Sequence, residues 1–396
     1  MVLTSELNID KEFINTILSE MVRINSTNPS LSSAGKGEAQ LAEYVGSILR
    51  DLGLIVEMYE LGLNRINILG CLHGTGNGPS LMLNAHMDTV GIEGMQEPFS
   101  ARIVDGKMFG RGTQDMKGSL AASIAAIKAL IEGNNNIKGD VYIAAVADEE
   151  YLSIGTTDLI KHIQTDAAIV TEPTDLKIGL AHRGFAWMEV ETYGRAAHGS
   201  RYQEGIDANM HMGRVLNRLE GLQNTLHKRP AHPLVGIPSL HAARIEGGTE
   251  WSIYSDHCLL QIERRTIPGE SESSVLQEIK SILMDLASED EKFRSNLKLK
   301  TIRGPHEIEM DKDIVKALSA AYTDVLEEEP VFVGASFWTD AAILGQAGID
   351  TVLIGPVGFG LHSAQEWVEL NSVYSLADIL ANTALQYCNR GVSNER

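Results

Sequence analysis

The chain has 396 residues, of which 43% are hydrophobic and 22% charged, the profile of a folded protein large enough for two domains. Its 53 acidic and 33 basic residues leave a formal charge of −20, and so acidic a surface repels nucleic acid and anionic membrane, excluding both as partners. No apolar run approaches the ~20 residues that span a bilayer.

The first residues, Met1 to Glu6, have neither the basic nor the apolar region of a secretion signal. Two amphipathic helices follow: Phe13, Ile14, Ile17, Leu18, Met21 and Val22 share one face, then Leu41, Tyr44, Val45, Ile48, Leu49 and Leu52, stopped by Gly53. Buried strands are predicted at 80–85, 141–147 and 167–171, with a helix carrying Leu120, Ile124, Ile127 and Ile131 between the first two. This alternation predicts an α/β domain with a mostly parallel sheet flanked by helices. The texture changes near Lys177. Strand 185–193, helix 206–219, strands 239–245 and 257–265, helix 271–286 and strand 297–302 give β-α-β-β-α-β, the ferredoxin-like pattern. A helix at 312–326, a strand at 351–355 and a helix at 372–388 then restore the first texture. The expected organisation is a catalytic domain in two parts, 1–178 and 304–396, interrupted by an inserted α+β domain at 179–303. Three scattered cysteines, Cys71, Cys258 and Cys388, fit buried free thiols in a reducing compartment, so a cytoplasmic location is expected.

Acids and histidines recur where these strands end. His86 closes the first strand and can offer one imidazole nitrogen to a metal. Asp88 points the same way along an extended chain and is placed to accept the other ring N–H. Asp115 lies in a glycine-rich loop before a helix. It is either a helix cap or a carboxylate whose two oxygens face two cations. Asp148, Glu149 and Glu150 crowd the end of strand 141–147, as a charged turn or as a site where one glutamate binds metal and its neighbour moves a proton. Glu172 ends the next strand, and His362 follows a glycine-rich run near the C-terminus. A lone histidine is usually structural. Candidate ligands at several strand ends of one parallel sheet, where α/β proteins bind ligands, favour a two-metal hydrolase.

Together these motifs resemble the M20 metallopeptidase family, whose members include acetylornithine deacetylase, succinyl-diaminopimelate desuccinylase, aminoacylase and glutamate carboxypeptidase. The resemblance rests on His86-Met87-Asp88, Gly110-Arg111-Gly112 with Asp115-Met116-Lys117-Gly118, Asp148-Glu149-Glu150, Glu172-Pro173-Thr174 and His362, and runs from about Asn84 to Val368. It implies that His86 and Glu172 bind one metal, Glu150 and His362 the other, and that Asp115 bridges them. Glu149 would be the general base activating a metal-bridging water, and Asp88 would orient His86. Two divalent ions are implied, Zn2+ first, with Co2+ or Mn2+ as substitutes.

Gly194-Arg195-Ala196-Ala197-His198-Gly199-Ser200 resembles the segment of the inserted domain whose histidine polarises the substrate carbonyl, often in the partner's active site. Glu263-Arg264-Arg265-Thr266 resembles the segment whose arginine, Arg265 by register, holds a substrate carboxylate. The family's inserted domain is a lid and often a dimer interface, so a homodimer is implied. Trp251-Ser252-Ile253-Tyr254 stands where members often carry asparagine and proline, and Arg201-Tyr202 after Ser200 is not the commonest form. The implied function is hydrolysis of the amide of an N-acyl amino acid. The alternatives are a dipeptidase or carboxypeptidase acting on a short peptide and, more remotely, a catalytically silent metal-binding homologue.

Overall fold

Apolar spacing builds the first helices as predicted. In the computed structural model, which describes residues 7–133 and 137–390, α1 (Lys11–Arg23) buries Ile14, Ile17, Leu18, Met21 and Val22, and α2 (Ala39–Asp51) buries Leu41, Val45 and Leu49. The Asp10 carboxylate accepts the Phe13 N–H at 2.9 Å and caps α1. A hairpin of β1 (Ile55–Gly62) and β2 (Arg65–Leu72) follows, which the sequence pattern had not indicated. β1 is an edge strand with no fully buried residue, so it lacks the apolar run that marked the others.

The first part of the chain continues with β3 (Leu81–His86), the short β4 (Arg102–Val104) and β5 (Lys107–Phe109), then α3 (Gly118–Glu132), β6 (Val141–Val146), α4 (Ile154–Leu159), β7 (Ala167–Val170) and β8 (Ile178–His182). The inserted elements are β9 (Gly184–Tyr193), α5 (Ala208–Leu226), β10 (Ser239–Gly247), β11 (His257–Thr266), α6 (Glu272–Glu289), β12 (Arg294–Arg303) and β13 (His306–Glu307). The return runs through α7 (Asp313–Leu326), β14 (Phe332–Ala335), α8 (Ala341–Gln346), β15 (Asp350–Leu353), β16 (Gly358–Phe359), β17 (Trp367–Glu369) and α9 (Leu370–Cys388). Among the described residues, no helix is long and apolar enough to cross a membrane.

Two compact units result. The first holds residues 1–180, 308–333 and 339–396; the second holds 181–307 and 334–338. In the first, β6, β3, β7 and β15 are neighbours in parallel, and β2 and β8 flank them antiparallel. These central strands are buried throughout or nearly so, which is why they read as continuous apolar runs. Helices α4 and α8 pack on the face carrying Met82, Ala144, Val146, Ala168 and Val170, while α3 and α9 pack on each other and on β3. A small antiparallel sheet, β16-β17-β5-β4, was not foreseen because its strands are only two or three residues long.

The second unit is a four-stranded antiparallel sheet in the order β10-β11-β9-β12, with α5 and α6 supplying the β-α-β-β-α-β sequence. Its core joins Met188, Val190, Leu260 and Ile262 of the sheet to Met212, Val215, Leu219, Ile279 and Leu283 of the helices. Helix α5 runs seven residues past the expected Leu219, because Leu222 and Leu226 continue its apolar face. Segment 334–338 also belongs to this unit, where Trp338 donates to the Gly304 carbonyl at 3.1 Å and meets Phe185 edge-on.

Candidate active site

Parallel strands deliver their carboxyl ends to one pole of the sheet, and the candidate residues of the first unit gather there. His86 is the last residue of β3, Glu149 and Glu150 follow β6, and Glu172 follows β7. Asp115 lies in the turn between Gly112 and Gly118 that opens α3. His362 lies between β16 and β17 with a left-handed backbone.

The Asp115 carboxylate sits between the two histidines. His86 Nε2 is 3.0 Å from its Oδ1 and 3.8 Å from Glu172 Oε1. His362 Nε2 is 3.4 Å from the other oxygen, Oδ2, and 3.0 Å from Glu150 Oε2. Two donor triads therefore share one carboxylate: His86, Asp115 and Glu172, and Asp115, Glu150 and His362. His86 and Glu172 are buried, whereas the His362 side chain is 55% exposed and marks the open side of the cluster.

The expected bond between the Asp88 carboxylate and His86 is not made. His86 Nδ1 donates instead to the Asp88 backbone carbonyl at 2.9 Å, and the carboxylate stays 3.7 Å away. That carbonyl takes the Nδ1–H and leaves Nε2 as the ring nitrogen that faces the cluster, beside Asp115. The carboxylate accepts the backbone N–H of Glu149 at 3.0 Å and of Glu150 at 3.2 Å, and the Asn28 amide at 2.8 Å. Asp88 thus holds the segment that presents both glutamates. Asp148 has a left-handed backbone and accepts from Arg65 and Asn28, and Arg65 also reaches Glu38 at 2.7 Å.

Electrostatics show an excess of buried negative charge. Burial pushes Glu149 and Glu172 well above the usual carboxylate range, and each is also raised by the other acids nearby. Burial and the Asp115 charge push Glu150 up to about 7. Burial opposes ionisation of Asp115 too, but hydrogen bonds from His362 and His86 hold its carboxyl below the usual range. Bonds to Asp115 and Glu150 raise His362 to about 10. Three acids and two imidazoles in two triads that share Asp115, with Glu150 Oε1 buried and unpartnered among the described residues, suit a centre built to receive cations. Imidazole nitrogen and carboxylate oxygen are donors that Zn2+, Co2+ and Mn2+ accept, so the residues present fit such a pair.

Several supporting residues were not foreseen. Asp340, just before α8, is buried, accepts from Thr156 Oγ1 at 2.5 Å, and is pushed up to about 6 chiefly by burial. Glu366 accepts from the Arg111 guanidinium and from the backbone N–H groups of Gly112, Gln114 and Asp115. Lys117 is fully buried, donates to the Met21 and Ile24 carbonyls, and is lowered to about 7 by desolvation. Only Arg111 and Lys117, inside the quoted motifs, carried any signal in the sequence.

His198 and Arg265 belong to the second unit. His198 is exposed, with Nδ1 2.8 Å from Ser200 Oγ. Arg265 pairs with Glu263 at 2.9 Å and lies 5.5 Å over the Phe185 ring. Its neighbour Arg264 is fully buried and bound to Glu270 and Glu278, a structural role.

Comparison with known proteins is consistent along the chain. The family model for peptidase family M20/M25/M40 matches residues 82–386. The acetylornithine deacetylase of Aliivibrio fischeri (strain ATCC 700601 / ES114) is 28% identical over 384 residues, covering 93% of this chain and 97% of its own. The N-formyl-4-amino-5-aminomethyl-2-methylpyrimidine deformylase of Bacillus subtilis (strain 168) is 26% identical over 381 residues, covering 88% and 89%. Aminopeptidase PepT from Bacillus cereus ATCC 10987 shares the fold with a TM-score of 0.80 at 19% identity, covering 96% of this chain and 99% of that one. So does YXEP of Bacillus subtilis, described as a dinuclear metal-binding peptidase of the M20 family, with a TM-score of 0.70 at 19% identity over 95% and 98% of the two chains.

Proposed function

Since the chain belongs to peptidase family M20/M25/M40 and is a metal-dependent hydrolase of amide or peptide bonds, we propose that its substrate is an N-acyl amino acid and that its centre takes two divalent ions. His86 and Glu172 would hold one ion and Glu150 and His362 the other, with Asp115 facing both. The observation that carries this reading is the Asp115 carboxylate, with one oxygen 3.0 Å from His86 and the other 3.4 Å from His362. Zn2+ is the first candidate, with Co2+ or Mn2+ as substitutes.

Bound divalent ions supply Lewis acidity, lowering the pKa of water and polarising a carbonyl. The chain's own residues do the rest. Asp88 fixes the backbone of residues 149 and 150 and would thereby hold Glu149 beside the cluster. Glu149 accepts a proton from the attacking water and returns it to the leaving amine nitrogen as the C–N bond breaks. His198 would donate to the carbonyl oxygen as charge develops on it, and Arg265 would pair with the carboxylate of the amino-acid part. The catalytic part would comprise 1–178 and 304–396, with 179–303 as lid and dimer interface. A homodimer through this second unit is supported by β10, an outer strand exposed from His241 to Gly247 with an open edge.

The test is hydrolysis of N-acetyl and N-succinyl amino acids and several dipeptides by metal-reconstituted protein, with Glu149→Ala alongside. Turnover of an acyl amino acid, lost in Glu149→Ala at unchanged metal content, supports the deacylase reading. Turnover of dipeptides alone moves the chain to the peptidase branch. Two bound metals without turnover of any substrate would favour a silent homologue, and failure to bind metal would sink the proposal.

A further inference from the structure

The opposite end of β6 carries a second convergence of donor atoms. β2 and β6 pair antiparallel, with Cys71 opposite Tyr142 and Leu72 opposite Val141. Side chains alternate along a strand, so this register carries Cys71 and His73 to the same face as Tyr142 and Asp140. Cys71 Sγ lies 3.4 Å from His73 Nδ1, and that nitrogen lies 3.3 Å from Asp140 Oδ2. The three donor atoms fall within 4.8 Å of one another. At ~3.3 Å per residue, β6 separates them by about 20 Å from the strand end that leads to Glu149.

The backbone holds this trio in place. Asp140 Oδ1 accepts the Gly74 N–H at 2.8 Å, and Oδ2 accepts the Tyr142 hydroxyl at 3.2 Å. Gly74 passes so close to residues 138 and 139 that a Cβ there would collide with the carbonyl oxygens of Lys138 and Gly139. Thr75 and Gly76 donate to the Ile137 and Lys138 carbonyls, both at 2.8 Å. Cys71 is only 8% exposed, whereas the His73 side chain is 58% exposed, so an entering ion meets an open imidazole first and a buried sulfur behind it.

The two separations from His73 Nδ1 are close to those of a tetrahedral coordination sphere. Zinc bonds of ~2.3 Å to sulfur, ~2.05 Å to nitrogen and ~2.1 Å to oxygen at the tetrahedral angle require S···N of about 3.6 Å and N···O of about 3.4 Å. The observed separations are 3.4 and 3.3 Å. Hydrogen bonding accounts for them less completely, because Nδ1 faces both the sulfur and the carboxylate while carrying one proton or one lone pair.

We propose that Cys71, His73 and Asp140 form a second cation site, separate from the candidate catalytic centre, for a borderline-soft divalent ion of the Zn2+ class. The fourth position faces solvent. Binding replaces the S–H bond with a metal–sulfur bond and releases that proton to solvent. Mg2+ and Ca2+, which take oxygen donors, do not match this mixed set. The bound ion would staple the end of β2 to the start of β6.

The test is a Co2+ titration of the full chain followed in the near ultraviolet. Every candidate donor of the catalytic centre is nitrogen or oxygen, so a thiolate-to-Co2+ charge-transfer absorption reports on a cysteine alone. The absorption is expected to saturate at a single equivalent, to be displaced by Zn2+, and to vanish in Cys71→Ser with hydrolysis intact. His73→Ala removes an exposed side chain and is expected to leave the fold intact and to shift half-saturation to higher Co2+. Absence of the absorption in the parent chain, or its survival in Cys71→Ser through Cys258 or Cys388, overturns the proposal. Should Cys71→Ser fail to fold, an unchanged half-saturation point in His73→Ala overturns it as well.

Discussion

Replacing Glu366 by glutamine tests how Asp115 is presented. Glu366 is 1% exposed. Its Oε2 accepts from Arg111 Nη1 at 2.7 Å and from the Gly112 N–H at 3.0 Å. Its Oε1 accepts from the N–H groups of Gln114 at 3.0 Å and Asp115 at 3.2 Å. A glutamine keeps one acceptor oxygen and turns the other into an NH2 group, which cannot accept. Whichever way the amide is turned, two of the four donors face another donor. A hydrogen bond to a charged group contributes about 1.5–3 kcal/mol, so losing two costs roughly 3–6 kcal/mol. That is a large part of a typical net stability of about 5–15 kcal/mol. If Oε1 becomes the NH2 group, the backbone at Gln114 and Asp115 is released and the shared carboxylate loses its place between the histidines. The assay is urea unfolding of parent and Glu366→Gln, with bound metal measured on the same preparations. The variant is expected to unfold at clearly lower urea and to bind less metal. A variant within about 0.5 kcal/mol of the parent, the range of an ordinary surface substitution, and with full metal content would refute this account of Glu366.

Three further outcomes are expected. Chelation to substoichiometric metal abolishes hydrolysis and lowers the thermal midpoint, since each site filled at a 100-fold excess over its Kd stabilises by about 2.7 kcal/mol; full hydrolysis by the stripped protein would contradict a metal-dependent reaction. Gly355→Ala places a Cβ against the Glu172 carbonyl oxygen, a backbone atom with no room to yield, and is expected to cost about 1–3 kcal/mol and to weaken metal binding; equal melting and metal content would show that the β7 and β15 ends can part freely. Asp10→Ala removes the α1 cap and is expected to cost about 1 kcal/mol near neutral pH. The Asp10 carboxyl is held below its ordinary value of 3.8 by the Phe13 N–H and then by Lys128. Its contribution is therefore fully present above 3.8 and lost as pH falls through the lower folded value, so the gap in urea midpoint between parent and variant should close under acid. A gap that stays constant down to pH values well below 3.8 would show that the carboxylate charge is not what stabilises the helix.

The readable part of this molecule is the part written locally. His86, Glu150 and Glu172 stood out because β3, β6 and β7 are buried on both faces and appear as apolar runs, and their ends point to one pole. Asp115 and His362 lie in loops without such a marker, where glycine-rich runs beside them gave the first signal and the resemblance of their motifs gave them roles. Asp340, Glu366, Asn28 and Arg65 were silent because their partners are far away in sequence. Arg65 meets Asp148 across 83 positions, and Arg111 meets Glu366 across 255. Among 53 acids, nothing local separates such a carboxylate from a solvated one. Asp88 failed differently. Its spacing from His86 was read correctly, but the backbone carbonyl of Asp88, not its side chain, meets the imidazole, and the carboxylate goes to the backbone N–H groups of residues 149 and 150.

The two adjacent arginines of β11 show how far strand parity alone can decide a role. Cys258, Leu260, Ile262 and Thr266 alternate as buried residues, and Arg264 falls on their face. A guanidinium on that face must be fully paired inside the protein, and Glu270 and Glu278 supply the carboxylates. Arg265, one step out of phase, takes the opposite face, where a third of its side chain is exposed and its partners are Glu263 and the Phe185 ring. Burial thus removes Arg264 from any contact with a substrate and leaves Arg265 as the arginine of this pair that a carboxylate can reach. The period of two and the identity of Cys258, Leu260 and Ile262 on the shared face are both present in the sequence.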